Sequence, residues 1–307
     1  MAKHNIHIED GEVLKDRYQI ISKIGSGGMS VVYLAKEVMN EDRLWAIKVA
    51  DMENRISKRL FSEAKILSEL DHPALPKIAD FFSSNDERYF YLVQEYVKGE
   101  SLYEIFEQND SLLEEATIAD IGIQLCDVLQ YLHTLKPTPI IYRDIKPANI
   151  MITHDGHMKL IDFGIARKYV HEKVKDTLQI GTVGFAAPEQ FEKRQSDTRT
   201  DLFSLGALLY YLLTGGRYVY IAQKPVQAFR QHLSKSMKKC IRLLVKTNPE
   251  ERIQTAEEVK EYLLAAKVEI PTSNSLSNRK SWLITKYIVS ILFFIGVILY
   301  IVIDQLK

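Results

Sequence analysis

Ile140-Ile-Tyr-Arg-Asp-Ile-Lys-Pro-Ala-Asn-Ile-Met151 sets an arginine, an aspartate, a lysine and an asparagine between two apolar flanks. Such flanks hold a short segment rigid while its polar side chains are left to act on something else. Downstream come an Asp155-Gly156 turn, a short strand from Met158 to Ile161, and the triplet Asp162-Phe163-Gly164. Upstream, Ser111 reads as the cap of a long amphipathic helix ending near His133. Farther on, Leu202 to Leu213 is apolar on all sides, which suits a helix buried at the centre of a helical lobe.

The part before residue 96 reads differently. Tyr18 to Ile24 is a strand that enters Gly25-Ser-Gly27-Gly28-Met-Ser30, and a second strand follows. Glycines there let backbone N–H groups approach phosphate oxygens, although a tight turn with no ligand reads the same. The third strand, Leu44 to Val49, places Leu44, Ala46 and Lys48 on one face. In the helix over Ile56 to Leu70, Glu63 falls on the apolar stripe of Ile56, Leu60, Leu67 and Leu70. An acid and a base thus point inward, where pairing offsets the cost of burial. The competing reading is a snorkelling Lys48 and a half-exposed Glu63. Runs at Ile78 to Phe82 and Tyr89 to Val93 complete a five-stranded antiparallel sheet, and Glu95 to Gly99 is a connector.

Composition fits a globular protein with ample core: 307 residues, 46% hydrophobic and 26% charged. Forty basic side chains balance forty acidic ones, which excludes the pervasive positive footprint of a nucleic-acid binder. Cys126 and Cys240 each sit in an amphipathic helical pattern and read as buried thiols of a reducing compartment, not a disulfide. The C-terminal end departs from this picture. Tyr287 to Ile303 carries no charge, and the 22 residues from Trp282 to Ile303 would rise about 33 Å as a helix, enough for a bilayer core of roughly 30 Å. A core helix is the competing reading, and the position excludes a signal peptide. Lys267, Arg279, Lys280 and Lys286 precede the uncharged stretch and only Lys307 follows it, so the bulk of the chain is expected in the cytoplasm. Residues 267–281, polar and without periodicity from Pro271 to Asn278, read as a juxtamembrane linker, and residues 304–307 as an extracytoplasmic tail. Residues 1–17 carry little pattern and read as a loose lead-in.

Taken in order, Gly25-x-Gly27-x-x-Ser30-x-Val32, Ala46-Ile-Lys48, Glu63, Arg143-Asp144-x-Lys146-Pro-x-Asn149, Asp162-Phe-Gly164, Gly181-Thr182, Ala187-Pro188-Glu189, Asp201 and Arg252 form a set. On these residues the chain from 18 to 266 resembles the bacterial Ser/Thr protein kinases of eukaryotic (Hanks) type. The resemblance implies an α+β, bilobal fold with a five-stranded antiparallel N-lobe and one helix over residues 18–95, and a mainly helical C-lobe over 96–266. To this the sequence adds one C-terminal transmembrane helix.

The resemblance implies further that Gly25, Ser26, Gly27, Gly28, Met29 and Ser30 cover the phosphates of ATP, with Ile24 also binding the nucleotide, and that Lys48, held by Glu63, contacts the α- and β-phosphates. Val32, Ala46 and Met151 would sandwich the adenine, with Glu95 and Val97 offering backbone groups to its edge. Asn149 and Asp162 would hold Mg²⁺, or Mn²⁺ in its place; Asp144 would take the proton of a substrate Ser or Thr hydroxyl, and Lys146 would touch the transferring phosphate. Glu189 with Arg252, and Asp201 with the catalytic loop, are implied as scaffold. Arg143 is implied as partner of a phosphate on the activation segment, with Thr177 the first candidate site and Thr182 the rival. Tyr142 stands where the family carries a histidine, packing on Phe163. Implied partners are protein substrates, a second copy for trans-autophosphorylation, and the membrane. A pseudokinase scaffold would lack Lys48, Asp144 or Asp162, and a small-molecule phosphotransferase would lack the Gly-Thr and Ala-Pro-Glu elements.

Overall fold

The structure, a computed structural model, describes residues 6–26, 30–52, 57–162, 184–191 and 196–270, with the backbone alone for 57–60, 62 and 63. The N-terminal lobe is one antiparallel sheet of β1 (Val13–Leu14), β2 (Tyr18–Ser26), β3 (Ser30–Glu37), β4 (Asn40–Asp51), β5 (Ile78–Ser83) and β6 (Tyr89–Glu95), in the order β1-β2-β3-β4-β6-β5. The sheet therefore has six strands among the described residues, one more than the sequence pattern implied. Val13 and Leu14 pair with Gln19 and Tyr18, a two-residue strand too short to show a period of two.

Side chains alternate across this sheet, and its two faces bury different clusters. Toward helix α1 (Ser57–Ser68) lie Phe90 and Leu92, packed with Ala64 and Leu67. On the opposite face Tyr33, Ala35, Trp45, Ile47, Val49 and Val93 pack with Tyr18, Ile20 and Ile8. Ile8 is 6% exposed, and the Tyr33 hydroxyl accepts from Ile8 N–H and donates to Ile6 C=O. The reading of residues 1–17 as a loose lead-in is thus corrected for residues 6–17: an apolar sheet face needs a cover, and this segment supplies it.

The C-terminal lobe begins with β7 (Gly99–Ser101), α2 (Leu102–Gln108) and α3 (Glu115–Thr134). Ser101 caps α2 in a reciprocal box with Glu104. Ser111 does not cap α3; its φ is +59°, and Glu114 precedes the helix without a side-chain cap. A single 3₁₀ turn, Pro147–Asn149, leads into β8 (Ile150–Thr153), which pairs with β7 and with β9 (Met158–Leu160). At the β7–β8 crossing a Cβ on Gly99 would stand 2.2 Å from Ile152 C=O, so only glycine fits there.

The remaining α-helices among the described residues are α4 (Pro188–Phe191), α5 (Thr198–Leu213), α6 (Val219–Ala222), α7 (Lys235–Leu244) and α8 (Ala256–Glu269). Every residue of α5 from Thr200 to Leu213 is buried, as an all-round apolar pattern demands. Gly206 lets α7 approach it, since a Cβ there would lie 2.4 Å from Leu244 Cβ. Cys126 and Cys240 are buried free thiols, and burial pushes both well above the usual thiol pKa. Ala74 and Leu75, from the loop between α1 and β5, belong to the C-lobe core, so the lobes are joined by packing as well as by the connector. No buried residue of the described clusters lies beyond Ala266, and the chain through Ile270 contains these cores whole. Among the described residues no helix is long and apolar enough to cross a membrane, and the expected span at 282–303 lies outside them.

Candidate active site

Sheet register assembles the upper half of the site. Gly25 is opposite Val32, Val32 opposite Lys48, and Lys48 opposite Leu92, so these four form one row across β2, β3, β4 and β6. Ala46 lies two residues along β4 on the same face, opposite Leu34 and Gln94. Among the described residues a Cβ on Gly25 would meet only Val32, at 3.8 Å, an ordinary contact, so crowding by these residues does not require glycine at 25. Ile24 is largely exposed, and Ser26 ends β2; Gly27, Gly28 and Met29 lie outside the described residues.

Lys48 pairs with the carboxylate of Asp162. The expected partner Glu63 sits on α1, and its side chain lies outside the described residues. Asp162, at φ +66°, takes a backbone conformation that L-residues adopt at a cost, and Arg143 does the same at +67°. Both flank the reactive centre, where such strain concentrates.

The lower half hangs from α5. Asp201, fully buried, accepts from the backbone N–H of Tyr142 at 2.8 Å and of Arg143 at 2.7 Å, and contacts His133 Nε2 at 2.8 Å. One carboxylate thereby fixes the peptide that carries Asp144. Asn149 donates through Nδ2 to the Asp144 carbonyl at 2.9 Å and to its carboxylate at 2.6 Å. Lys146 Nζ stands 3.3 Å from the same carboxylate. Asp144 is 7% exposed, so its charge is desolvated, and these contacts compensate.

Tyr142 donates its hydroxyl to Ile161 C=O, immediately before Asp162. Burial, with the nearby charges of Asp144 and Asp162 adding, raises its phenol well above the ordinary value and keeps the donor proton in place. The expected partner Phe163 lies outside the described residues.

At the connector, Val97 is 7% exposed, and Glu95 donates its N–H to Lys77 C=O at 2.8 Å. The Glu95 carboxylate takes Lys159 Nζ on β9 at 3.0 and 3.2 Å. This clasp between lobes was not anticipated, because nothing in the sequence links positions 64 residues apart. Met151 lies on β8 opposite Lys159, below the connector.

Glu189 and Arg252 form the expected buried pair, with two contacts of 2.7 and 2.8 Å and a third bond to Glu189 from Thr200 at 2.9 Å. Burial raises the Glu189 pKa, but the bonds from Arg252, the backbone and Thr200 outweigh it and hold it below the ordinary value. Gln190, which sequence reasoning passed over, receives Ala187 N–H at 2.7 Å and donates to Arg143 C=O at 3.2 Å. Its position directly after Ala187-Pro188-Glu189 was the available signal. Arg143 Nε is buried with no hydrogen-bond partner among the described residues. Thr177, Thr182 and Gly181 lie outside them.

The donor set suits a hard cation. Asn149 turns its amide nitrogen to Asp144, which leaves its oxygen as the atom it can offer, and Asp162 supplies a carboxylate. Among the described residues no group of three or more His, Cys, Asp or Glu could by itself hold a metal ion. A Mg²⁺ here would take its remaining ligands from phosphate and water, its usual preference.

The protein kinase domain family matches residues 18–265. Serine/threonine-protein kinase PrkC of Bacillus subtilis is 35% identical over 228 residues, covering 73% of this chain and 34% of PrkC. A probable serine/threonine-protein kinase of Clostridium perfringens is 32% identical over 267 residues, covering 81% and 38% respectively. Serine/threonine-protein kinase PknA of Nostoc is 32% identical over 283 residues, covering 85% and 49%. The chain spans between about a third and a half of these relatives' lengths. A crystal structure of the Mycobacterium tuberculosis PknI kinase domain superposes with a TM-score of 0.68 at 20% identity, covering 85% of this chain and 99% of that one, which supports the bilobal fold. With the family matched across both lobes and the catalytic loop hung from α5, the chain belongs to the protein kinase family.

Proposed function

We propose that the chain is an ATP-dependent serine/threonine protein kinase, held at the cytoplasmic face of a membrane by residues 282–303, that transfers the γ-phosphoryl group to protein hydroxyls. The observation that carries this reading is the convergence of Lys146 and Asn149 within 3.3 Å of the Asp144 carboxylate, together with the pairing of Lys48 and Asp162. The names of the relatives support the choice of serine and threonine as acceptors.

The residues divide the work. Asp144 accepts the proton of the substrate hydroxyl as its oxygen bonds to phosphorus and the bond from phosphorus to the bridging oxygen breaks. Lys146, beside Asp144, is placed to balance negative charge on the transferring group. Lys48 brings a second cation to the nucleotide side. Asp162 and Asn149 would hold Mg²⁺, which supplies charge neutralisation across the phosphate oxygens. The alternatives are a scaffold without transfer and a phosphotransferase for small molecules; Ala187-Pro188-Glu189 and its tie to Arg252 favour a platform for protein substrates.

Incubation of the full chain with labelled ATP, Mg²⁺ and a generic protein acceptor tests this. Label is expected on serine or threonine, and Asp144→Asn should lower the rate by about 10²–10⁴-fold with nucleotide still bound. Absence of transfer, or transfer unchanged in Asp144→Asn, would overturn the reading.

Activation by trans-autophosphorylation at Thr177 is part of the proposal, since Arg143 Nε, without a hydrogen-bond partner among the described residues, is suited to a phosphate. Phosphopeptide mapping of active protein should find the modification at Thr177 and lose it in Thr177→Ala; active protein unmodified at that residue contradicts this part. Anchoring predicts that the full chain stays with membranes through alkaline carbonate, whereas a chain ending at Ile270 is released.

A further inference from the structure

The stretch between α5 and α7 is short, and together with α7 it borders a basic groove. A cleft of about 460 Å³ lies between this connection and α7, lined by Lys224, Lys235, Lys238, Lys239 and Arg242 over an apolar floor that includes Val226 and Ile241. No acidic side chain lines it. Among the described residues none of these five cations forms an ion pair with a carboxylate. Lys239 rests over the Tyr262 ring at 5.1 Å; Lys224, Lys235 and Arg242 are exposed and Lys238 half-exposed, and the Glu269 carboxylate is bonded to the Lys235 N–H. Five like charges around one cleft repel, and a fold keeps such an arrangement at a cost unless an anion joins it.

The position of the groove identifies that anion. Glu269, at the last residue of α8, receives the N–H of Lys235 at 2.5 Å and the Ser236 hydroxyl at 2.5 Å. The start of α7 therefore touches the point from which the chain leaves toward the apolar segment. Eleven residues, 271–281, separate that point from Trp282, and fully extended they reach at most about 38 Å. With residues 282–303 in a bilayer, as proposed above, the groove would stay near its surface, where anionic headgroups stand at high effective concentration. The exposed apolar side chains Val268, 87% exposed on the last turn of α8, and Ile221, 70% exposed on α6, add contacts suited to an interface.

We infer that the groove between α6 and α7 seats the phosphate headgroups of anionic phospholipids and holds the catalytic domain against the bilayer that carries its C-terminal segment. The inference rests on the membrane-anchored reading, yet it is tested without that segment.

The chain ending at Ile270 retains the described cores, and flotation with vesicles reads its binding directly. Vesicles of equal parts phosphatidylglycerol and phosphatidylcholine should carry it at low salt, vesicles of phosphatidylcholine alone should not, and raising the salt should release it. Lys238→Glu with Arg242→Glu should cut the bound fraction by about tenfold or more, while transfer to a soluble acceptor is unchanged. Equal binding to both vesicles, binding to neither, or binding indifferent to the charge reversals would overturn the proposal. So would a polyglutamate peptide that binds the groove while anionic vesicles fail to compete, which would assign it to an acidic protein segment. Loss of the full chain from carbonate-washed membranes would count against the anchor alone.

Discussion

Tyr142 shows how a single side chain transmits position to the reactive centre. Its N–H is held by Asp201 and its hydroxyl holds Ile161 C=O, so the peptide entering Asp162 is tied to the peptide entering Asp144. Tyr142→Phe would leave that buried carbonyl without its donor, at a cost of about 1–3 kcal/mol. The expected outcome is a melting temperature lowered by a few degrees together with slower phosphoryl transfer; an unchanged melting curve would mean that the contact carries no weight. Residue identities in the catalytic loop were legible because Asp144, Lys146 and Asn149 lie within six positions of one another. The Glu95–Lys159 clasp was not, since an ion pair across 64 residues leaves no local pattern. Nor did the sequence show that Lys48 would pair with Asp162, because competing partners for one ammonium are separated only by geometry.

At the scale of elements, two Ser-x-x-Glu stretches lie ten residues apart, Ser101 to Glu104 and Ser111 to Glu114, and only the first is a capping box. The second resembles it in composition, but Ser111 is left-handed and α3 starts at Glu115. Ser101→Ala should cost about 1 kcal/mol in urea unfolding, whereas Ser111→Ala should stay within about 0.5 kcal/mol. The short helix α2 escaped the sequence reading because seven residues hold too few turns for periodicity to stand out. α5 was legible for the opposite reason: the twelve residues from Leu202 to Leu213, apolar on all sides, leave no other site than the centre of a lobe. Its Gly206 was not singled out, and Gly206→Ala should push α7 away from α5 at about 1–3 kcal/mol, read as a lower melting temperature with catalytic-site residues untouched.

The molecule as a whole is closed by ties that cross between segments. Glu189→Gln would leave Arg252 buried without its countercharge and should destabilise by about 3–5 kcal/mol. Because the native pKa of Glu189 lies below its usual 4.5, the contribution of that pair is complete above the unfolded value and is lost as pH falls through the native one. The gap in melting temperature between the wild-type chain and Glu189→Gln should therefore be constant near neutrality and narrow below about pH 4.5. The switch of periodicity after residue 95 showed a strand-rich part followed by a helical one, and the resemblance implied the bilobal plan, while the cover of the outer sheet face by Ile6 and Ile8 was not legible, since two isoleucines in a polar lead-in form no pattern. Asp201 carries a last consequence. The amide hydrogens of Tyr142 and Arg143 end on a carboxylate inside the most deeply buried helix, so they can exchange with deuterated solvent only when that helix lets go. Their exchange should therefore run as slowly as that of α5 itself. A catalytic loop in this molecule then keeps time with the unfolding of the lobe's centre, and heat should abolish transfer in the same transition that melts the core.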